Sequence, residues 1–153
     1  MPVNIIPRDQ WGALPPRVMV NALLTPVQNV FCMNTHSKPC FDHLVCMGTL
    51  RLLQRSHMQR QNQRDIRYNF IVGSDGDVYE GRGWTSSPLL PREHSRLSNK
   101  SILIGYIGDF TAADLPANMS QAGYDLIEYG IQQGHIASDF LYYDILTKLH
   151  SHV

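Results

Sequence analysis

The sequence predicts an α/β domain with a central mixed β-sheet flanked by helices. Three observations predict it. Short β-prone runs alternate with stretches of helical periodicity, which is the signature of layered sheet and helix. An Asp75-Gly76 step lies between two β-prone runs and marks a hairpin turn. The 153 residues, 43% hydrophobic and 17% charged, suit one compact domain with its own core.

The elements follow in order. Residues 1–26 carry Pro7, Pro15, Pro16 and Pro26, so they are expected as an extended N-terminal arm wrapped on the body of a single domain, 1–153. Val27 to Thr35 reads as a buried strand, broken by Ser37-Lys38-Pro39. From Phe41 to about Gln59 a helix is expected, with Phe41, Val45 and Leu52 on its apolar side, Leu50 and Leu53 nearby, and Arg51, Arg55 and Arg60 in solvent. Asp42 suits its N-terminus. Tyr68 to Val72 and Val78 to Glu80 form the hairpin. Thr85 to Lys100, with Pro88 and Pro91, reads as a long exposed loop in which Leu89 and Leu90 are candidate contacts. Ser101 to Phe110 is a central strand. A helix from about Ser120 to Gln133 ends at Gly134, and its Gly123 and Gly130 suit close approach to the sheet. Leu141 to Leu149 reads as a short terminal helix with Ile145 and Leu149 on one face.

Charge narrows the partners. Thirteen basic side chains balance thirteen acidic ones, and no Lys/Arg block exists. Nucleic acid and anionic lipid surfaces are therefore excluded as expected partners. No apolar run is long enough to cross a bilayer. Met1-Pro2-Val3-Asn4 does not read as a signal peptide, which leaves an intracellular protein or a domain of a longer chain. Cys40 and Cys46 are close enough in sequence for a local disulfide; the alternative is three reduced thiols, Cys32 included. The sequons at Asn99 and Asn118 lean towards a secreted setting, with N-glycosylation at both.

Chemistry is sparse. Cys40, His43 and Cys46 share a helical side and could be read as metal ligands, but a fourth is lacking, and a disulfide beside a surface histidine competes. Cys32 in an apolar strand suits packing better than nucleophilic catalysis. Gly81-Arg82-Gly83 lacks the lysine and helix start of a phosphate loop, and no carboxylate pair stands out for glycoside chemistry.

Longer motifs carry a resemblance. Arg8-Asp9-Gln10-Trp11-Gly12-Ala13, Cys40 with Cys46, His57-Met58, Asp65-Ile66-Arg67-Tyr68-Asn69-Phe70, and Val72-Gly73-Ser74-Asp75-Gly76 with Val78-Tyr79-Glu80-Gly81-Arg82-Gly83-Trp84 resemble the peptidoglycan recognition proteins over nearly the whole chain, in order. The resemblance implies the N-acetylmuramoyl-L-alanine amidase-like fold with a ligand groove on one sheet face. It also implies a Cys40–Cys46 disulfide and an extracellular setting.

Family amidases hold zinc with two histidines and a third ligand, usually cysteine. One histidine is expected in the run that here is Met33-Asn34-Thr35, a degenerate ligand position that His36 does not rescue. The other two are expected in Gly-His-Arg-Asp and Cys-Pro-Gly motifs, and neither is present. The chain passes from Ser138-Asp139-Phe140 directly to Leu141-Tyr142-Tyr143-Asp144-Ile145, which resembles the final helix of the family with a preceding strand and loop deleted. No catalytic residue, metal ligand or cofactor is expected. Tyr68 stands at the position of an assisting tyrosine, with packing or groove lining as its expected role.

Groove residues have diverged as well. Gln63 replaces a tryptophan, Arg67 a glycine, and Asn99 an arginine that pairs with the diaminopimelate carboxylate in some members. Thr35, Gln63, Arg67, Tyr68, Trp84, Thr85, Ser86, His94 and Asn99 are the expected remnant of a groove that is filled or shallow. The resemblance therefore implies a non-catalytic regulator of innate immunity. It would be the extracellular ectodomain of an insect membrane-tethered protein of the immune deficiency pathway, in contact with a related peptidoglycan receptor ectodomain. Peptidoglycan binding would be weak or absent; the alternatives are a muropeptide sensor and, last, a zinc amidase.

Overall fold

A computed structural model describes residues 3–18, 22–111 and 113–146. Six strands form one mixed sheet: β1 (Ile5–Ile6), β2 (Val27–Asn34), β3 (Phe70–Val72), β4 (Val78–Glu80), β5 (Ser101–Tyr106) and β6 (Ile136–Ile145). Their order is β1-β4-β3-β5-β2-β6. Among these strands only the β3–β4 hairpin is antiparallel; the other neighbours run parallel. Among the described residues three α-helices accompany the sheet: α1 (Arg8–Trp11), α2 (His43–Gln59) and α3 (Ala117–Gln132).

Both faces of the sheet are covered, so the central strands are apolar throughout rather than alternating. Along β2 the period of two still divides the core. Val30 and Cys32 join Ile102, Ile104, Met119 and Leu126 on the α3 face. Phe31 and Met33 join Leu103, Cys46, Leu50 and Tyr68 on the α2 face. Gly123 and Gly130 of α3 are the close approaches their positions foretold. A β-carbon on Gly123 would collide with the Tyr106 hydroxyl, and one on Gly130 would stand 2.6 Å from Ile136 and 2.8 Å from Trp84.

Several expectations change. The N-terminal arm is not uniformly extended: Ile5–Ile6 adds an edge strand against Val78–Tyr79, and α1 buries Trp11 completely. The reason is a polar clamp. Arg8 donates to Asp65 at 2.7 Å, and the Trp11 indole donates to the Glu80 carbonyl at 2.8 Å. In α2 the buried positions are Cys46, Leu50, Gln54, His57 and Met58, while Phe41, Val45 and Leu52 are 77%, 51% and 68% exposed. Helical spacing found the helix but chose the wrong side, because Gln54 and His57 are buried as hydrogen-bonding residues. Asp42 caps this helix, accepting from the Val45 N–H at 2.9 Å.

The stretch expected as an exposed loop contains a 3-10 helix, Arg92–Lys100, and Leu90 is buried. The strand expected to reach Phe110 ends at Tyr106. The largest correction lies at the end. Ile136–Ile145 is one continuous strand, not a strand remnant leading into a helix. Leu141, Tyr142 and Tyr143 are β-prone, and the segment pairs in parallel with β2, Met33 facing Ile145. The strand thus runs through Leu141–Ile145, where a helix was expected, and residues 147–149 of that expected helix lie outside the described residues.

Candidate functional site

The carboxyl ends of β2, β5 and β6 come together on the α2 face. Met33 is flanked in register by Gly105 of β5 and Ile145 of β6. It is fully buried, and Ile145 is 4% exposed. Both belong to the same apolar cluster as Phe31, Leu103 and Ile107. Asn34 is buried too, but its amide is committed: Nδ2 donates to Asp109 Oδ1 at 3.3 Å, and Oδ1 accepts from the His36 N–H at 2.9 Å. His36 lies past the strand end at a φ of 55° and faces Asp109, with Nδ1 3.9 Å from the carboxylate. A thioether, an aliphatic chain and an amide already engaged do not suit zinc, which takes imidazole, thiolate or carboxylate. The residues at these strand ends do not fit the metal of an amidase.

Beside Met33 the floor is aromatic. Phe31 stacks on Tyr143 with centroids 4.3 Å apart, and His94 of the 3-10 helix meets the Phe31 ring at 5.0 Å and Tyr143 at 5.8 Å. Tyr68 is 1% exposed. Its ring lies on Gly105, where a β-carbon would come within 2.8 Å, and edge-on to His57 at 5.6 Å. Burial pushes its phenol up to about 12, so it stays protonated at neutral pH.

Arg67 is equally enclosed, 2% exposed. Its Nε donates to the Leu89 carbonyl at 3.2 Å and its backbone N–H to His57 Nδ1 at 3.1 Å, while Leu89 N–H returns a bond to the Arg67 carbonyl at 3.0 Å. Desolvation lowers the proton affinity of the guanidinium. Arg67 thus ties the segment after Trp84 to the body. Gln63 is half-buried just past the end of α2, its N–H donating to the His57 carbonyl at 2.9 Å.

The other expected groove residues are placed elsewhere. Trp84 stacks on His135 at 4.5 Å and packs on Phe70 at 4.4 Å, within the cluster on the α3 face. Thr85 and Asn99 are exposed, and their carbonyls accept from Leu23 and Leu24 of the N-terminal arm at 3.0 and 2.8 Å. Ser86 bridges to Ala22, and its carbonyl accepts from Asn69 at 2.8 Å. Thr35 is buried, with its hydroxyl 2.7 Å from that of Ser37. Both sequon residues, Asn99 and Asn118, are exposed, and Asn118 Nδ2 also donates to the Ser74 carbonyl at 3.1 Å. Cys40 and Cys46 form a disulfide, which removes them as metal ligands. Sequence reasoning missed the roles of Tyr143 and Ile145, because reading 141–149 as a helix hid their alternation, and with them the stacking partner of Phe31.

Residues 41–153 match the N-acetylmuramoyl-L-alanine amidase family. Peptidoglycan-recognition protein 3 of Holotrichia diomphalia is 35% identical over 138 residues, 90% of this chain and 71% of that protein. The chain belongs to the peptidoglycan-recognition proteins. An N-acetylmuramoyl-L-alanine amidase of Sus scrofa is 38% identical over 115 residues, 74% of this chain and 19% of its own length. Among solved structures, the complex of tracheal cytotoxin with the Drosophila ectodomains PGRP-LCa and PGRP-LCx superimposes with a TM-score of 0.86 at 30% identity, covering 92% of this chain and 82% of that one. The peptidoglycan-recognition fold accounts for the mixed sheet, the buried Trp11 arm and the hairpin motif. Relatives of this fold include proteins named as amidases and proteins named for recognition, so its chemistry rests on the strand-end residues.

Proposed function

We propose that this peptidoglycan-recognition domain is a non-catalytic regulator of innate immunity that acts by contact with a related peptidoglycan receptor ectodomain. One observation carries the reading: Met33 and Ile145, both apolar and buried, face each other at the strand ends where a zinc-binding histidine is expected by resemblance. Met33 and Asn34 are then a degenerate ligand position, and no residue here activates water. The enclosed Arg67 and Tyr68, with His94 against Phe31 and Tyr143, support little or no peptidoglycan binding.

The solved pair of related ectodomains supports a protein partner of the same fold. The disulfide supports an extracellular setting. Among the described residues no helix is long and apolar enough to cross a membrane, so tethering would come from chain outside this domain. The second reading is a sensor that binds muropeptide without cleaving it; the tracheal cytotoxin held by the related ectodomains favours it.

Retention on insoluble peptidoglycan, with and without competing muropeptide, separates the two. The regulator reading expects no saturable retention, and specific retention would favour the sensor. Muropeptide hydrolysis that a chelator abolishes would overturn both.

A further inference from the structure

We propose that His43, Asp75 and Asp77 form a binding site for a divalent transition-metal cation, of Zn2+ class, where the start of α2 meets the β3–β4 turn. One ligand atom from each of the three lies within 4.8 Å of the others. The His43 Nδ1 to Asp77 Oδ2 edge is 3.6 Å. Zn–N and Zn–O bonds of about 2.1 Å in a tetrahedron put ligand atoms about 3.4 Å apart, so the His43–Asp77 edge already fits and side-chain rotation must draw Asp75 in from within 4.8 Å. His43 and Asp77 side chains are 41% and 46% exposed, which leaves them room to adjust.

The surroundings hold the ligands in place. His43 follows the helix cap Asp42 and lies between the disulfide-linked Cys40 and Cys46, so its backbone is fixed. The Tyr79 hydroxyl donates to Asp75 Oδ2 at 2.7 Å, and Asp75 Oδ1 accepts the Asp77 N–H at 3.0 Å. These bonds orient one carboxylate as outer-shell partners do in metal sites. Tyr79 also lies 3.2 Å from His43 Nδ1, the nitrogen aimed into the cluster. The two carboxylates face each other, and the imidazole is the cation-capable group acting on Asp77.

A single imidazole with two carboxylates, and solvent completing the tetrahedron at this half-exposed position, suits Zn2+, whereas Ca2+ takes about six to eight oxygen ligands to fill its shell. The site shares no residue with Met33, Asn34, Ile145 or Tyr68 and is independent of the regulator reading. Bound metal would clamp α2 to the hairpin and raise the melting temperature by mass action.

Calorimetric titration of the disulfide-intact chain with ZnCl2, and separately with CaCl2 and MgCl2, tests the site. One Zn2+ per chain is expected, with binding at least about tenfold weaker in His43→Ala and in Asp77→Asn. Chemical-shift mapping on the unaltered chain should move His43 and Asp77 first. Absence of Zn2+ binding, unchanged affinity in both variants, shifts confined to other histidines, or Ca2+ binding as tight as Zn2+ would each overturn the proposal.

Discussion

The rings of Phe31 on β2 and Tyr143 on β6 stack at 4.3 Å with planes 9° from parallel. Neighbouring parallel strands bring them together in register. Stacked aromatic pairs contribute about 0.5–1.5 kcal/mol beyond their area burial. Tyr143→Ala should therefore destabilise the domain by about 2 kcal/mol in urea unfolding, and Tyr143→Phe, which keeps the ring, by much less. Equal losses in the two variants would mean that the hydroxyl, not the stack, matters.

Met33→His tests the strand ends directly. The imidazole would enter a fully buried apolar site opposite Ile145, which cannot serve as a second zinc ligand. Burying a polar group without a partner costs about 1–3 kcal/mol. The expected variant is less stable and has no muropeptide hydrolysis with zinc supplied. Turnover by this single substitution would show that other ligands are in place.

Asp65 is the hub of the N-terminal clamp. Its carboxylate accepts from Arg8 Nη1 at 2.7 Å, Gln54 Nε2 at 3.0 Å and the Ile66 N–H at 2.8 Å, and its side chain is 4% exposed. Removing one partner of a buried pair leaves an uncompensated charge and costs about 3–5 kcal/mol. Asp65→Ala should lose about that much in urea unfolding. Arg8→Ala, which leaves the buried Asp65 carboxylate without its ion partner, should also be clearly destabilising, and much less so when made in the Asp65→Ala background. Simple additivity of the two would remove the clamp as a unit.

Alkaline pH should weaken the fold. Burial pushes the Tyr68 phenol from 10.0 and the Cys32 thiol from 9.0, each up to about 12. In the unfolded chain both ionise first, so between these values the folded state holds more protons. Stability is then fully present below pH 9 and falls as pH rises through about 12. For Tyr68 alone the loss approaches about 3 kcal/mol, at 1.36 kcal/mol per pH unit. Melting temperatures should be level from neutral pH to 9 and drop beyond it, with a shallower drop in Tyr68→Phe. An identical drop in that variant would place the effect elsewhere.

Sequence by itself determined the order of the central elements and the family. The alternation around Asp75-Gly76 marked the hairpin, and Gly123 and Gly130 marked where α3 touches the sheet, because each is a local rule of backbone and packing. The poverty of metal ligands at Met33-Asn34-Thr35 was likewise readable, since ligand chemistry is a property of the side chain.

Tertiary structure alone decided which faces those elements present. Leu141 to Leu149 reads as a helix from its spacing, and pairing with β2 instead makes Ile136–Ile145 a strand that brings Ile145 to Met33 and Tyr143 to Phe31. Only the fold places the Trp84 ring against His135 and Phe70, on the α3 face. His43 and Asp77 are 34 residues apart in the chain and 3.6 Å apart in space. Local propensity acts over a few residues; register and the choice of face come from contacts between distant segments, which only the folded chain brings together.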